Sequence, residues 1–141
     1  MMVSTKGRYA LRVMIDLAEH QKEGFISLRD VAERQEISMK YMEAIVAVLN
    51  RAGLLESRRG KTGGYRLSRD PSEITAGEVL RLTEGSLAPV ACMEKGGCSE
   101  CARASCCQTL PMWQQLDALI EAYLSKISIM DLAEGKVKAI S

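Results

Sequence analysis

The sequence predicts a mainly α-helical protein with a small β-hairpin wing, arranged as a winged helix-turn-helix with a long dimerisation helix behind it. Three observations predict this. Short amphipathic helical patterns follow one another closely up to Gly53, a basic, Gly-interrupted alternating stretch comes next, and a long apolar stripe at helical spacing fills the end of the chain. The chain divides accordingly into a winged helix-turn-helix over residues 1–85, a cysteine-rich loop over 86–109, and the dimerisation helix and carboxy-terminal tail over 110–141.

The first element is TKGRYALRVMIDLAEHQ, where Tyr9, Ala10, Val13, Met14, Leu17 and Ala18 recur on one helical face. SLRDVAERQ forms a short second helix, with Ser27 as its cap and Asp30 in place of the usual Glu or Gln of a capping box. A third helix starts at Ser38, buries Met42, Ile45, Val46 and Leu49, and stops at Gly53. In LLESRRGKTGGYRLSRD the period shortens to that of two strands joined by a turn at Gly60 to Gly64. DPSEITAGEVLRLTEG then carries a Thr75/Glu78 capping box for a helix ending at Gly85. At Pro111, a residue suited to a first helical turn, PMWQQLDALIEAYLSKISIMDLAEG begins as one run. Its stripe of Trp113, Leu116, Ile120, Tyr123, Ile127 and Met130 is continuous at heptad spacing and is wider than a small core needs. That excess predicts pairing with a second copy, giving a homodimer.

Composition narrows the function. The 141 residues are 47% hydrophobic and 26% charged, and no apolar run approaches the roughly 18 residues of a membrane span. The amino terminus lacks the pattern of a secretory signal, so the expected location is cytoplasmic, where thiols stay reduced. Net charge is only +1, yet residues 1–69 carry 13 Lys/Arg against 8 Asp/Glu while residues 70–141 carry 6 against 10. A basic front half points to a polyanion, and a helix-turn-helix followed by a basic wing points to double-stranded DNA. The candidate contacts are the first turn of the recognition helix, from Ser38 through Tyr41, Arg51 at its end, and Arg58, Arg59, Gly60, Lys61 and Thr62 in the wing. Catalysis is not indicated: there is one histidine, and no motif assembles a nucleophile, a base and an orienting group.

Every cysteine falls between Val90 and Thr109: Cys92, Cys98, Cys101, Cys106 and Cys107. The spacing C-x(5)-C-x(2)-C-x(5)-C, from Cys92 through Cys98 and Cys101 to Cys107, is one that could wrap a single metal centre, and the glycines in the first interval let the backbone turn and aim amides at sulfur. It matches no zinc-ribbon pattern.

STKGRYALRVMIDLA, the segment SLRDVAERQEISMKYMEAIVAVLNRAGLLESRRGKTGGYRLSRD, ITAGEVLRLTEG and the cysteine loop before PMWQQL together resemble the IscR family of iron–sulfur regulators, over essentially the whole chain. The resemblance implies a dimeric transcription regulator that reads a palindromic operator with Ser38, Lys40, Glu43 and Arg59. It also implies an iron–sulfur cluster, most simply [2Fe–2S], and control of cluster-assembly genes. Three departures matter. Where the family places a histidine ligand this chain has Leu110, where nitric-oxide-sensing relatives place a carboxylate it has Arg8, and beside Glu43 it has Ala44 in place of a base-reading Gln. His20, at the end of the first helix, reads as a helix-terminal residue. The fourth ligand is therefore expected to be a cysteine, Cys101 in preference to Cys106. A metal-free thiol switch through Cys106/Cys107 or Cys98/Cys101, and an electron carrier without DNA binding, are the other readings.

Overall fold

The structure, a computed structural model, describes residues 3–94 and 105–140. Helix α1 (Thr5–Glu19) is the hub and packs against α2 (Leu28–Gln35), α3 (Met39–Arg51), strand β2 (Gly64–Leu67), α4 (Ala76–Glu84) and α6 (Ile129–Ala133). Its apolar face, Ala10, Val13, Met14 and Leu17, is almost wholly buried with Met42, Ile45 and Leu49 of α3 and Ile129 of α6. Burial of side chains of this size stabilises by about 1.5–3 kcal/mol each. Strand β1 (Leu55–Arg58) pairs antiparallel with β2, and α5 (Leu110–Leu124) stands apart at the end of α4. The expected mainly helical winged helix-turn-helix is thus the observed fold.

Caps decide the boundaries. Ser4 caps α1 by accepting from the Gly7 amide at 3.1 Å, and it also donates through its amide and hydroxyl to Glu84 Oε1, at 3.0 and 2.6 Å. This ties the start of α1 to the end of α4. A Cβ on Gly7 would meet the Glu84 carboxylate, so glycine there leaves room for that side chain to lie against Ser4. Ser38 caps α3 by accepting from Tyr41 N, and Thr75 caps α4 by accepting from Glu78 N. The other half of the expected Thr75/Glu78 box is replaced, because the Glu78 carboxylate is held by Arg69. Ser27 occupies the cap position of α2 without making a side-chain cap bond.

The largest departure from the sequence reading lies in the last run, which is two helices. α5 ends at Leu124 and α6 starts after Ser128, where a full capping box forms: Asp131 N donates to Ser128 Oγ, and Ser128 N donates to the Asp131 carboxylate. The break lets Ala76 N donate to the Ile127 carbonyl and Ile129 N donate to the Ile74 carbonyl, both at 2.8 Å, stitching the segment to the start of α4. Ile127 and Met130 therefore leave the stripe, and Ile129, which was not on it, becomes fully buried against α1. Ile127 belongs to this connection rather than to the face of the long helix.

One charge is buried among the described residues, the carboxylate of Asp16, 2% exposed. Arg34 grips it with both guanidinium arms, Nε to Oδ2 at 3.0 Å and Nη2 to Oδ1 at 2.7 Å, and Gln35 Nε2 donates to Oδ2 at 2.9 Å. Arg12, one turn earlier on α1, donates to the side chain and backbone carbonyl of the same Gln35. Burial pushes the Asp16 carboxyl up, but the Arg34 and Gln35 hydrogen bonds, with the charges of Arg34 and His20, outweigh it and leave it below the usual carboxylate value. A group depressed in the folded state stabilises fully above its unfolded value, about 3.9, and loses that share as pH falls through the folded one. Asp16→Asn is expected to cost about 2 kcal/mol at neutral pH in urea denaturation. The gap to the unaltered chain should close below about pH 4; a gap constant with pH would show that the charge is immaterial.

Candidate nucleic-acid interface and cysteine loop

Helices α2 and α3 are joined by Glu36, whose left-handed backbone (φ 54°) turns the chain within one residue so that Ile37 is buried and Ser38 begins α3. The core face of α3 fixes its roll. Lys40, Glu43, Ala44, Ala47 and Arg51 are left exposed on the opposite face, together with Ser38 and Met39 at its tip. Of the residues singled out at the start of this helix, Ser38, Lys40 and Glu43 thus share one solvent face. Arg51 lies on that face too, but roughly 16 Å further along the axis at 1.5 Å per residue. Tyr41 leans edge-on against Tyr9 of α1, ring centroids 5.5 Å apart, and Arg12 covers the Tyr9 ring at 5.0 Å.

The wing has a row that sequence reasoning missed. Ile26 N donates to the Tyr65 carbonyl and Tyr65 N to the Ile26 carbonyl, each at 2.8 Å, so the residues before α2 add a third edge to the hairpin. Alternation within these few residues is too short to be read as a strand. The register pairs Leu55 with Leu67 and Arg58 with Gly64, which turns Leu55, Leu67, Tyr65 and Ile26 toward the core. Arg66 pairs with Glu56 at 2.7 Å, and Arg58 Nη2 donates to the Thr62 carbonyl at 2.9 Å across the turn. Arg59 and Lys61 are exposed and make no hydrogen bond or ion pair among the described residues.

The wing glycines serve the wing itself. A Cβ on Gly63 would run into the Arg58 carbonyl, and one on Gly64 into the Ile26 carbonyl, whereas Gly60, at φ 106°, faces open space. The first two permit backbone contact inside the sheet; only Gly60 is at the tip. The paired glycines of RRGKTGG are thus used inside the wing, and its exposed features are the cations.

Between α4 and α5, Leu87 and Ala88 are buried and anchor the entry to the cysteine segment. Cys92 sits exposed in a single 3-10 turn, Ala91–Met93. Cys106 is exposed, and Cys107 is half-buried with its sulfur 3.4 Å from Thr109 Oγ1, just before α5. Cys98 and Cys101 lie outside the described residues. Leu110 opens α5, and Arg8 donates to Thr5 Oγ1 on the first turn of α1, so neither offers a ligand at the two family positions that depart. His20 caps the end of α1 with Nδ1 2.8 Å from the Asp16 carbonyl oxygen, consistent with a structural role.

No residue of α5 is buried. Met112, Leu116, Leu119 and Tyr123 are exposed, Leu119 at 66%, and with Trp113 and Gln115 the first three line an open apolar groove. Arg81 of α4 pairs with Glu121, and Gly77 allows the backbone of Leu124 to approach α4, so the helix is held at one end while its apolar side stays bare. No helix of the described residues is long and apolar enough to cross a membrane.

Comparison with known proteins agrees with this geometry. The Rrf2 family, described as iron-dependent transcriptional regulators, matches residues 3–135. The HTH-type transcriptional regulator IscR of Aliivibrio salmonicida (strain LFI1238) is 39% identical, covering 100% of this chain and 83% of the relative. Among solved structures, CymR, the global cysteine regulator of B. subtilis, superposes with a TM-score of 0.79 at 36% identity over 96% of this chain and 98% of its own. IscR of T. potens does so at 0.76 and 36% identity, over 100% and 94%. The wing geometry predicts that Gly64→Ala lowers the thermal unfolding midpoint well beyond Gly60→Ala. The latter meets no atom and costs about 1–2 kcal/mol of left-handed strain; equal losses would remove the Ile26 contact as the reason for Gly64.

Proposed function

Because the chain belongs to the Rrf2 family and is an IscR-type transcriptional regulator, we propose that it works as a homodimer on a palindromic operator and senses iron–sulfur cluster status. The proposed targets are cluster-assembly genes. The observation that carries the reading is position. All five cysteines fall in the segment that leaves the helix-turn-helix after α4 and enters α5, the helix whose apolar side is left bare among the described residues. A change in that segment reaches the spacing of the two DNA-reading halves by the shortest route.

The donor set fits an iron–sulfur cluster. Thiolates are the ligands such clusters use, Cys92 and Cys106 are exposed thiols, and the Gly96-Gly97 pair allows a close turn. Cys92, Cys98, Cys101 and Cys107 would hold the group, most simply [2Fe–2S], which supplies an oxygen-labile, iron-dependent centre. Cys106 is the alternative fourth ligand. The wing and recognition helix do the binding: Arg59 and Lys61 neutralise phosphates, Arg59 suits a narrow minor groove, and Lys40 and Glu43 address base edges. Trp113, Leu116, Ile120 and Tyr123 form the dimer seam, and a two-fold axis there matches two half-sites.

The test is an anaerobic absorption spectrum of freshly purified protein with iron and sulfide analysis, repeated after air exposure. Visible bands with matching iron and sulfide, bleached by air, are expected; Cys101→Ser should diminish them and Cys106→Ser should not. Protein that stays colourless after anaerobic reconstitution would instead favour the metal-free thiol switch. Leu119→Glu places a charge on the bare side of α5, and sedimentation should then show a monomer with much weaker operator binding. A Leu119→Glu dimer would move the seam elsewhere.

A further inference from the structure

Resting on the DNA-binding reading above, we propose that Phe25 is a positioning residue for DNA recognition: its ring holds Arg58 and Arg66, which stiffens the wing so that Arg59 and Lys61 are presented to the duplex. The Phe25 ring carries a guanidinium on each of two neighbours, Arg58 Cζ at 4.5 Å and Arg66 Cζ at 4.4 Å from the centroid. Its backbone is placed by the next residue, since Ile26 exchanges both hydrogen bonds with Tyr65. That bridge and the β1–β2 register put Phe25 in one row with Arg66 and Glu56, and Arg58 in the next row on the same face, beside Gly64. Gly64 has no side chain, and this gap lets the Arg58 guanidinium reach the ring.

From Phe25 a chain of contacts runs into the turn. Arg58, stacked on the ring, donates to the Thr62 carbonyl at 2.9 Å, while Arg66 is gripped between the ring and Glu56 at 2.7 Å. Two of the four wing cations, Arg58 and Arg66, are thereby engaged within the fold. Arg59 and Lys61, with no hydrogen bond or ion pair among the described residues, are the two left for phosphate. A wing already ordered before contact avoids the entropy of ordering it on DNA, and two guanidinium groups stacked on one ring favour that order even at these exposed positions. Arg58, a candidate DNA contact by sequence, acts here through the wing's shape.

The experiment measures binding of the full chain to a labelled mixed-sequence duplex several helical turns long across a salt titration, for Phe25→Leu, Phe25→Tyr, Arg59→Ala and the double variant Phe25→Leu/Arg59→Ala. Phe25→Leu should weaken binding about three- to tenfold and flatten the salt dependence. Phe25→Tyr should restore both, and Phe25→Leu should add little once Arg59 is gone, because positioning acts through the residue positioned. Unchanged affinity and slope in Phe25→Leu, or full additivity with Arg59→Ala, overturns the proposal; additivity is also what a direct ring–DNA contact gives. If Phe25→Leu does not fold, Arg58→Met, which keeps the stem and loses the guanidinium, takes its place with the same expected loss. An unaltered chain that fails to bind the duplex at low salt overturns the DNA-binding reading itself, a result distinct from normal binding with a silent Phe25→Leu.

Discussion

Asp16 sets the geometry on which the DNA-reading half depends. A carboxylate buried in the last turn of α1 is tolerated only with its lone pairs satisfied, and Arg34 and Gln35 at the end of α2 are the groups that satisfy it. That requirement fixes where α2 ends on α1. Glu36 then reverses the chain in a single left-handed residue, and α3 must start at Ser38 with its apolar face on Met14 and Leu17. The roll of the recognition helix is thus set by a polar network on one side and by close packing on the other. A hydrophobic core alone specifies less, since apolar contacts are non-directional.

The wing follows a different rule, in which missing side chains matter as much as present ones. Gly63 and Gly64 admit backbone where a Cβ would not fit, and the same vacancy at Gly64 opens the lane between Phe25 and Arg58. A short two-stranded hairpin is marginal in water by itself. Here Ile26 extends it and Leu55 roots it in the core, so that its cations project from a supported edge. The exposed ion pairs, Arg66–Glu56 and Arg69–Glu78, add little to stability at solvent-facing positions, and their effect is to orient.

At the other end, the polypeptide separates two uses of one apolar stripe. Ser128 stops the run and Ile129 closes the domain against α1, while Met112, Leu116, Leu119 and Tyr123 remain exposed on a helix none of whose residues is fully buried. The cysteine segment enters that same helix. The helix is held to the domain chiefly at α4, with its apolar side bare among the described residues.

Much of this was legible in the sequence because it depends on local rules. Helical periodicity, Ser38 and Thr75 as caps, Gly53 as a stop and the shortened period of the wing are each written within a few residues, and they sufficed for α1 to α4, the hairpin and the family resemblance. What the tertiary structure alone decided are the long-range choices. A heptad stripe does not say that Ser128 will cap a new helix, because the preference for a break comes from Pro71, Ile74 and Ala76, more than fifty residues earlier, offering backbone partners. Glu78 reads as half of a capping box until Arg69 takes it. Phe25 reads as an isolated aromatic until the register of β2 brings two arginines over it. Side chains that must choose among partners distant in sequence make that choice by packing, and no local pattern records it.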